Sequence, residues 1–146
     1  MPVIESDWPT EIALEVVSPL MYLKTQASAL SQLTKGIIEA KVTTSIDEED
    51  QSYEENQYLH VLSIYASALE DAEVEILTLN HSVDLMYPCW MQSKALSDIG
   101  TLHKKFSTQQ HSFDELRKTM RAVLRSPETT GRMQSLIARI NETTSR

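Results

Sequence analysis

The stretch Tyr58 to Met91, YLHVLSIYASALEDAEVEILTLNHSVDLMYPCWM, is the most apolar part of the chain, and how it folds decides the architecture. Two periodicities compete in it. Tyr58, Leu62, Tyr65, Leu69, Ala72, Ile76, Leu79, Val83 and Met86 recur at alternating steps of four and three, an apolar heptad seam. No Gly or Pro interrupts the chain between Gly36 and Pro88, which also suits a helix. Yet Leu59, Val61, Ile64, Val74, Leu77, Leu85 and Tyr87 lie off that seam, so a helix here would be apolar nearly all round. It would also far exceed the usual helix of about 11 to 12 residues.

As strands, the same stretch divides at Glu70-Asp71 and at Asn80-His81-Ser82 into three runs rich in Val, Ile, Leu, Tyr and Thr. Alternation in Leu59, Val61 and Ser63, in Val74, Ile76 and Thr78, and in Val83, Leu85 and Tyr87 points one face of each run at a core. Glu73 and Glu75 then face water. The strand interpretation is adopted, with an all-α bundle around a long central helix as the alternative.

Outward from this centre, Ile38, Ala40, Val42, Thr44 and Ile46 also alternate, predicting a fourth strand. Between them lies residues 47–55, DEEDQSYEE, with six acids in nine residues, which predicts a solvated loop. Short connections favour an antiparallel meander. Before it, Ser18-Pro19 reads as a helix start, Leu20, Leu23, Ala27 and Leu30 as an apolar stripe, and Gly36 as the left-handed residue that ends the helix. The apolar piece Ile12 to Val17 suits a brief helix or a docked arm.

After Pro88, a helix is expected from near Ser93, with Leu96, Ile99, Leu102, His103 and Phe106 on one stripe. Ser112-Phe-Asp-Glu115 matches a capping box, and Phe113, Leu116, Met120, Val123 and Leu124 continue it as an amphipathic helix. Ser126-Pro127 opens a last helix with Met133, Leu136, Ile137 and Ile140 on its apolar side, and residues 141–146 should fray. The predicted fold is α+β: an N-terminal helix, a four-stranded antiparallel sheet, and two or three C-terminal helices on one face. The helix ending in LTKGIIEAKV, the strands ending in LNHSVDLMYP and the terminal RSPETTGRMQSLI together resemble a family of small bacterial proteins. That resemblance implies no activity and carries over no site.

At 146 residues the chain fits one domain with its own core. The single cysteine, Cys89, cannot form an internal disulfide, and MPVIESDW has neither a basic region nor a long apolar run, so a cytoplasmic protein is expected. Charge is unevenly distributed. The net charge is −8, but residues 42–93 hold eleven acids and no Lys or Arg, while residues 94–146 hold ten bases against five acids. An acidic surface disfavours nucleic acid and anionic membranes and steers basic partners inward. The candidate partner-binding residues are therefore Asp47, Glu48, Glu49, Asp50, Glu54, Glu55, Glu73 and Glu75. The competing account has this acidic span pair internally with the basic ridge of Arg117, Lys118, Arg121 and Arg125.

Catalytic and metal motifs are weak. The acidic run lacks the Gly that an EF-hand turn requires. His60, His81, His103 and His111 are scattered without metal-ligand spacing. His81, Ser82 and Asp84 are the residue types of a triad but lie too close together for its geometry. Cys89 suits a small apolar residue beside Trp90 better than a nucleophile. With only three glycines, no phosphate-cradling loop is present. No catalytic residue, metal or cofactor is assigned. The expected function is a non-enzymatic, acidic protein-binding module of inhibitor, immunity-like or chaperone-like type. A small-ligand or catalytic pocket between sheet and helices is the alternative, and a homodimer joined through strand edges is a third possibility.

Overall fold

In the computed structural model, residues 5–12, 16–47, 56–70, 72–96 and 107–144 are described. The central stretch is a sheet. β1 (Glu39–Asp47), β2 (Gln57–Tyr65), β3 (Glu73–Ser82), β4 (Cys89–Gln92) and β5 (Ser107–Gln110) lie side by side in chain order, each antiparallel to the next. A helix, α1 (Pro19–Leu33), precedes them, and α2 (Phe113–Leu124) and α3 (Pro127–Thr144) follow. The α+β class thus holds, with five strands where the pattern predicts four.

The differences have local causes. Asn80-His81-Ser82 does not break the chain but completes β3, because its polar groups find partners inside the sheet: Asn80 Nδ2 reaches Gln57 Oε1 at 3.5 Å, and His81 meets His60. The turn moves on to residues 83–88, so Val83 and Leu85, expected in a strand, are 41% and 61% exposed. Of the helix expected from Ser93, Leu96 is fully buried, whereas Ile99, Leu102, His103 and Phe106 fall outside the described residues. Ser107 to Gln110, between that stripe and the helix expected from Ser112, form β5, a strand the pattern did not predict.

The parity of β2 is also the reverse of the expected one. His60, Leu62 and Ile64 face the core, while Leu59 and Val61 are half-buried on the other side. β2 is apolar on both faces, so its own pattern leaves the choice open. Pairing decides it, since Val42, Leu62 and Leu77 come into register on one face. In β3 the register shifts opposite Leu62 and Ser63, the mark of a β-bulge. Val74 and Ile76 therefore point inward before it and Leu77 and Leu79 after it, which sends Thr78 to the opposite face.

The three described helices contribute to one core with that inner face: Leu23 and Ala27 from α1, Leu116, Met120 and Val123 from α2, and Leu136 from α3. Tyr22 and Phe113 meet edge to face with ring centroids 5.4 Å apart, joining α1 to α2. Ile12, Val16 and Val17 are exposed, so no docked arm is seen among these described residues.

The predicted caps are present. The Met21 amide donates to Ser18 Oγ at 3.1 Å, and Pro19 takes the first helical position. At the other end of α1, the Gly36 amide donates to Ser31 O at 2.8 Å and the Lys35 amide to Gln32 O at 3.3 Å, a Schellman arrangement. The left-handed residue at C′ is thus Lys35, φ 54°, with Gly36 following at φ 80°. In the α2 box, the Glu115 amide donates to Ser112 Oγ at 3.3 Å, while the Glu115 carboxylate reaches the His111 amide at 2.6 Å, one residue before the cap. That backbone bond is the main reason its carboxyl lies below the usual range.

Ser126 caps α3 from inside the protein. It is 3% exposed, accepts from the Thr129 amide at 3.2 Å and donates to Val123 O at 2.7 Å. Ser126→Ala should therefore lower stability by about 1 to 2 kcal/mol in urea denaturation, the upper part of the range for lost N-caps. α3 runs on to Thr144, through residues expected to fray.

Candidate functional site

The acidic residues chosen from sequence separate into two groups. Glu48, Glu49, Asp50, Glu54 and Glu55 lie outside the described residues, and Asp47 is the last residue of β1. Glu73 and Glu75 sit on β3, exposed on the outer face of the sheet, as the alternation requires. They are differently engaged. Glu73 pairs with Lys41 Nζ at 2.9 Å across the intervening β2, whereas the Glu75 backbone carbonyl accepts from Arg132 Nη1 at 3.0 Å.

The basic ridge lies elsewhere. Arg117, Lys118 and Arg121 are exposed on α2 and, with Asp114, line a surface cleft of about 330 Å³. Arg117 lies over the Phe113 ring, 5.8 Å from its centroid. Lys41 pairs with Glu73 and Arg132 with Glu128, and no ion pair seen among the described residues joins Arg117, Arg121 or Arg125 to the acidic span.

β4 pairs only with Thr78 to His81, which leaves the earlier half of β3 without a described neighbour on that side. A cleft of about 470 Å³ runs along it, lined also by Lys94, Glu128 and Arg132. The edge is defended against pairing in three ways. It carries the bulge, Ser93 Oγ donates to Ile76 O at 2.8 Å, and Arg132 occupies Glu75 O.

Between sheet and helices is a smaller space of about 200 Å³. It is walled by apolar groups such as Leu30, Leu62, Ile76 and Met133, with Gln26 and Thr129 as its polar members. No His, Asp or Glu among the described residues converges on it. Among the described residues, no three His, Cys, Asp or Glu side chains gather in a metal-binding group.

The strongest concentration of buried polar chemistry is one that sequence spacing did not reveal. Strand pairing places Ile46, Tyr58, His81, Cys89 and Gln110 in one row across the five strands, and Thr44, His60 and Leu79 in the next. His60 and His81 are 2% and 7% exposed, and their Nε2 atoms lie 3.0 Å apart. His81 Nδ1 is 2.8 Å from Ser82 O and 3.2 Å from Leu85 O, both of which can only accept. Hence His81 Nδ1 carries the proton, and in the neutral ring its Nε2 accepts from His60 Nε2–H. His60 Nδ1 is then left to accept from the Thr44 hydroxyl at 2.9 Å.

This assignment satisfies every ring nitrogen with both histidines neutral. Tyr58 stacks on the His60 ring at 6.0 Å and meets the His81 ring at a tilt of 58°, 5.6 Å away. Burial, with smaller repulsions from His81 and Lys24, lowers the His60 pKa to about 4. The only sequence signal for the pair is that both histidines stand in apolar strand runs; their sequence separation says nothing of contact.

The neighbouring groups are not arranged for catalysis. Burial pushes the Cys89 thiol up to about 12, so it is a protonated core residue and not a thiolate. The Tyr87 hydroxyl is pushed to about 12 by burial and by Cys89. His81, Ser82 and Asp84 form no relay: His81 bonds the Ser82 carbonyl, and Ser82 Oγ accepts from the Asp84 amide at 3.2 Å.

No helix among the described residues is long and apolar enough to cross a membrane. No protein-family model matches the chain, and neither the curated proteins nor the solved structures contain a significant match to it.

Proposed function

We propose that this protein is a non-catalytic binding module of the cytoplasm, an inhibitor, immunity-like or chaperone-like factor, that engages a basic protein partner through its acidic span. The observation that supports this reading is the concentration of acids: residues 42–93 hold eleven acids and no Lys or Arg, and Glu75 keeps its carboxylate exposed on the outer face. Charge left uncompensated on a surface steers a partner of opposite sign. Against a catalytic pocket stands the apolar lining of the space between sheet and helices.

The test replaces Asp47, Glu48, Glu49 and Asp50 by Asn and Gln. Affinity capture from the native host at low salt should recover a basic partner with the parent protein, and capture should fall steeply as added salt shortens the screening length below about 8 Å. The substituted protein should lose most of that capture while its melting temperature stays unchanged. Unchanged capture with a clearly lowered melting temperature would instead mean that these acids serve the protein's own fold.

A further inference from the structure

From the placement of the buried histidine pair we infer that it is a proton-operated latch, which holds the loop of residues 83–88 against the sheet at neutral pH and releases it in mild acid. The pair bridges three strands and this loop. Thr44 belongs to β1, His60 to β2 and His81 to β3, and the chain of bonds ends on the carbonyl of Leu85. The loop has few other attachments among the described residues: the Val83 amide donates to Asn56 O at 3.1 Å and the Asp84 amide to Ser82 Oγ at 3.2 Å. In its first half the side chains Val83 and Leu85 are largely in water, so the bond to Leu85 O matters most there, while Tyr87 packs against the core and anchors the far end.

One proton drives this arrangement. On His60 Nδ1 it keeps the bonds, because the Thr44 hydroxyl can turn and accept, but it places a cation where solvent is excluded. That state is relieved when His81 swings toward water and gives up Leu85 O, which opens the His60 ring to solvent.

The surrounding groups do not stabilise a cation there. α1 presents Lys24, which adds repulsion. β2 presents the Tyr58 ring, and β4 presents Cys89, opposite His81, whose thiol burial keeps protonated. β1 and β5 contribute the non-titrating Thr44 and Gln110. Asp84, the one carboxylate of the loop, is exposed.

Cys89 reports on the latch. It follows the loop directly, is fully buried, and lies within electrostatic reach of the Tyr87 hydroxyl, so release of the loop uncovers it. The experiment follows modification of Cys89 in the full chain by 4,4′-dithiodipyridine, whose own protonation keeps it reactive toward the small thiolate fraction in mild acid. It spans about pH 7.5 to 4.5, relative to a cysteine peptide at each pH, with circular dichroism confirming that the sheet persists. Relative reactivity should rise as pH falls below the ordinary histidine value, by up to about tenfold per pH unit, the limit for one linked proton.

His60→Gln, which cannot take the proton, should remove the rise. A flat profile in the parent protein, or the same rise in His60→Gln, would overturn the latch. Should that variant fail to fold, hydrogen exchange on the parent protein decides alone. Protection lost first in residues 83–89 supports release of the loop, and protection lost together across β1, β2 and β3 refutes it.

Discussion

Leu79→Ala should lower the unfolding free energy by about 3 to 5 kcal/mol, the upper part of the range for truncating a buried leucine. Leu79 is fully buried on the middle strand of the sheet, between His60 of β2 and Met91 of β4 in register. Neither flank can collapse into the space left behind. His60 is held by bonds at both ring nitrogens, and Met91 is itself fully buried in β4. A cavity that stays open raises the penalty beyond the lost transfer energy. The check is urea denaturation followed by circular dichroism, with an unchanged slope showing that the unfolded state is not altered. Ile137→Ala, which removes a side chain 39% exposed on α3, serves as the control and should change stability far less.

Stability should also fall with acid, by up to about 3 kcal/mol between neutral pH and the folded pKa of His60. The unfolded chain binds a proton there near 6.5, the folded chain only near about 4. Between those values the unfolded state holds more protons, so stability rises with pH: it is complete above 6.5, lost progressively toward 4, and level below that. About 2 kcal/mol of the loss should be reached by pH 5, before most carboxylates protonate. Opening of the 83–88 loop ahead of global unfolding limits the loss to the free energy that holds the loop shut. Urea midpoints at a series of pH values, for the parent protein and His60→Gln, test this. The variant should be nearly level between pH 7 and 5, and equal slopes in both would remove His60 as the cause.

The local elements were legible because they are governed by groups adjacent in sequence. Ser18-Pro19, Ser112 with Glu115, and Ser126-Pro127 mark helix starts because a side-chain oxygen must satisfy amides two or three residues ahead, and no distant contact changes that requirement. Alternation likewise identified β1 and the exposed side of Glu73 and Glu75, where one face of the strand is polar. In β2 the same rule gave no answer, since both faces are apolar and only pairing with Val42 and Leu77 selects the inner one.

Tertiary structure alone decided the rest. The bulge opposite Leu62 changes which residues of β3 face inward, and nothing in the sequence of β3 announces it. His81 looked like part of a turn because it is polar and stands between Asn80 and Ser82. It lies within a strand because His60, 21 residues earlier, accepts it as a buried hydrogen-bond partner. Local capping energies depend on residues a turn apart and can be read along the chain, whereas the cost of burying a polar ring depends on what the fold brings to it.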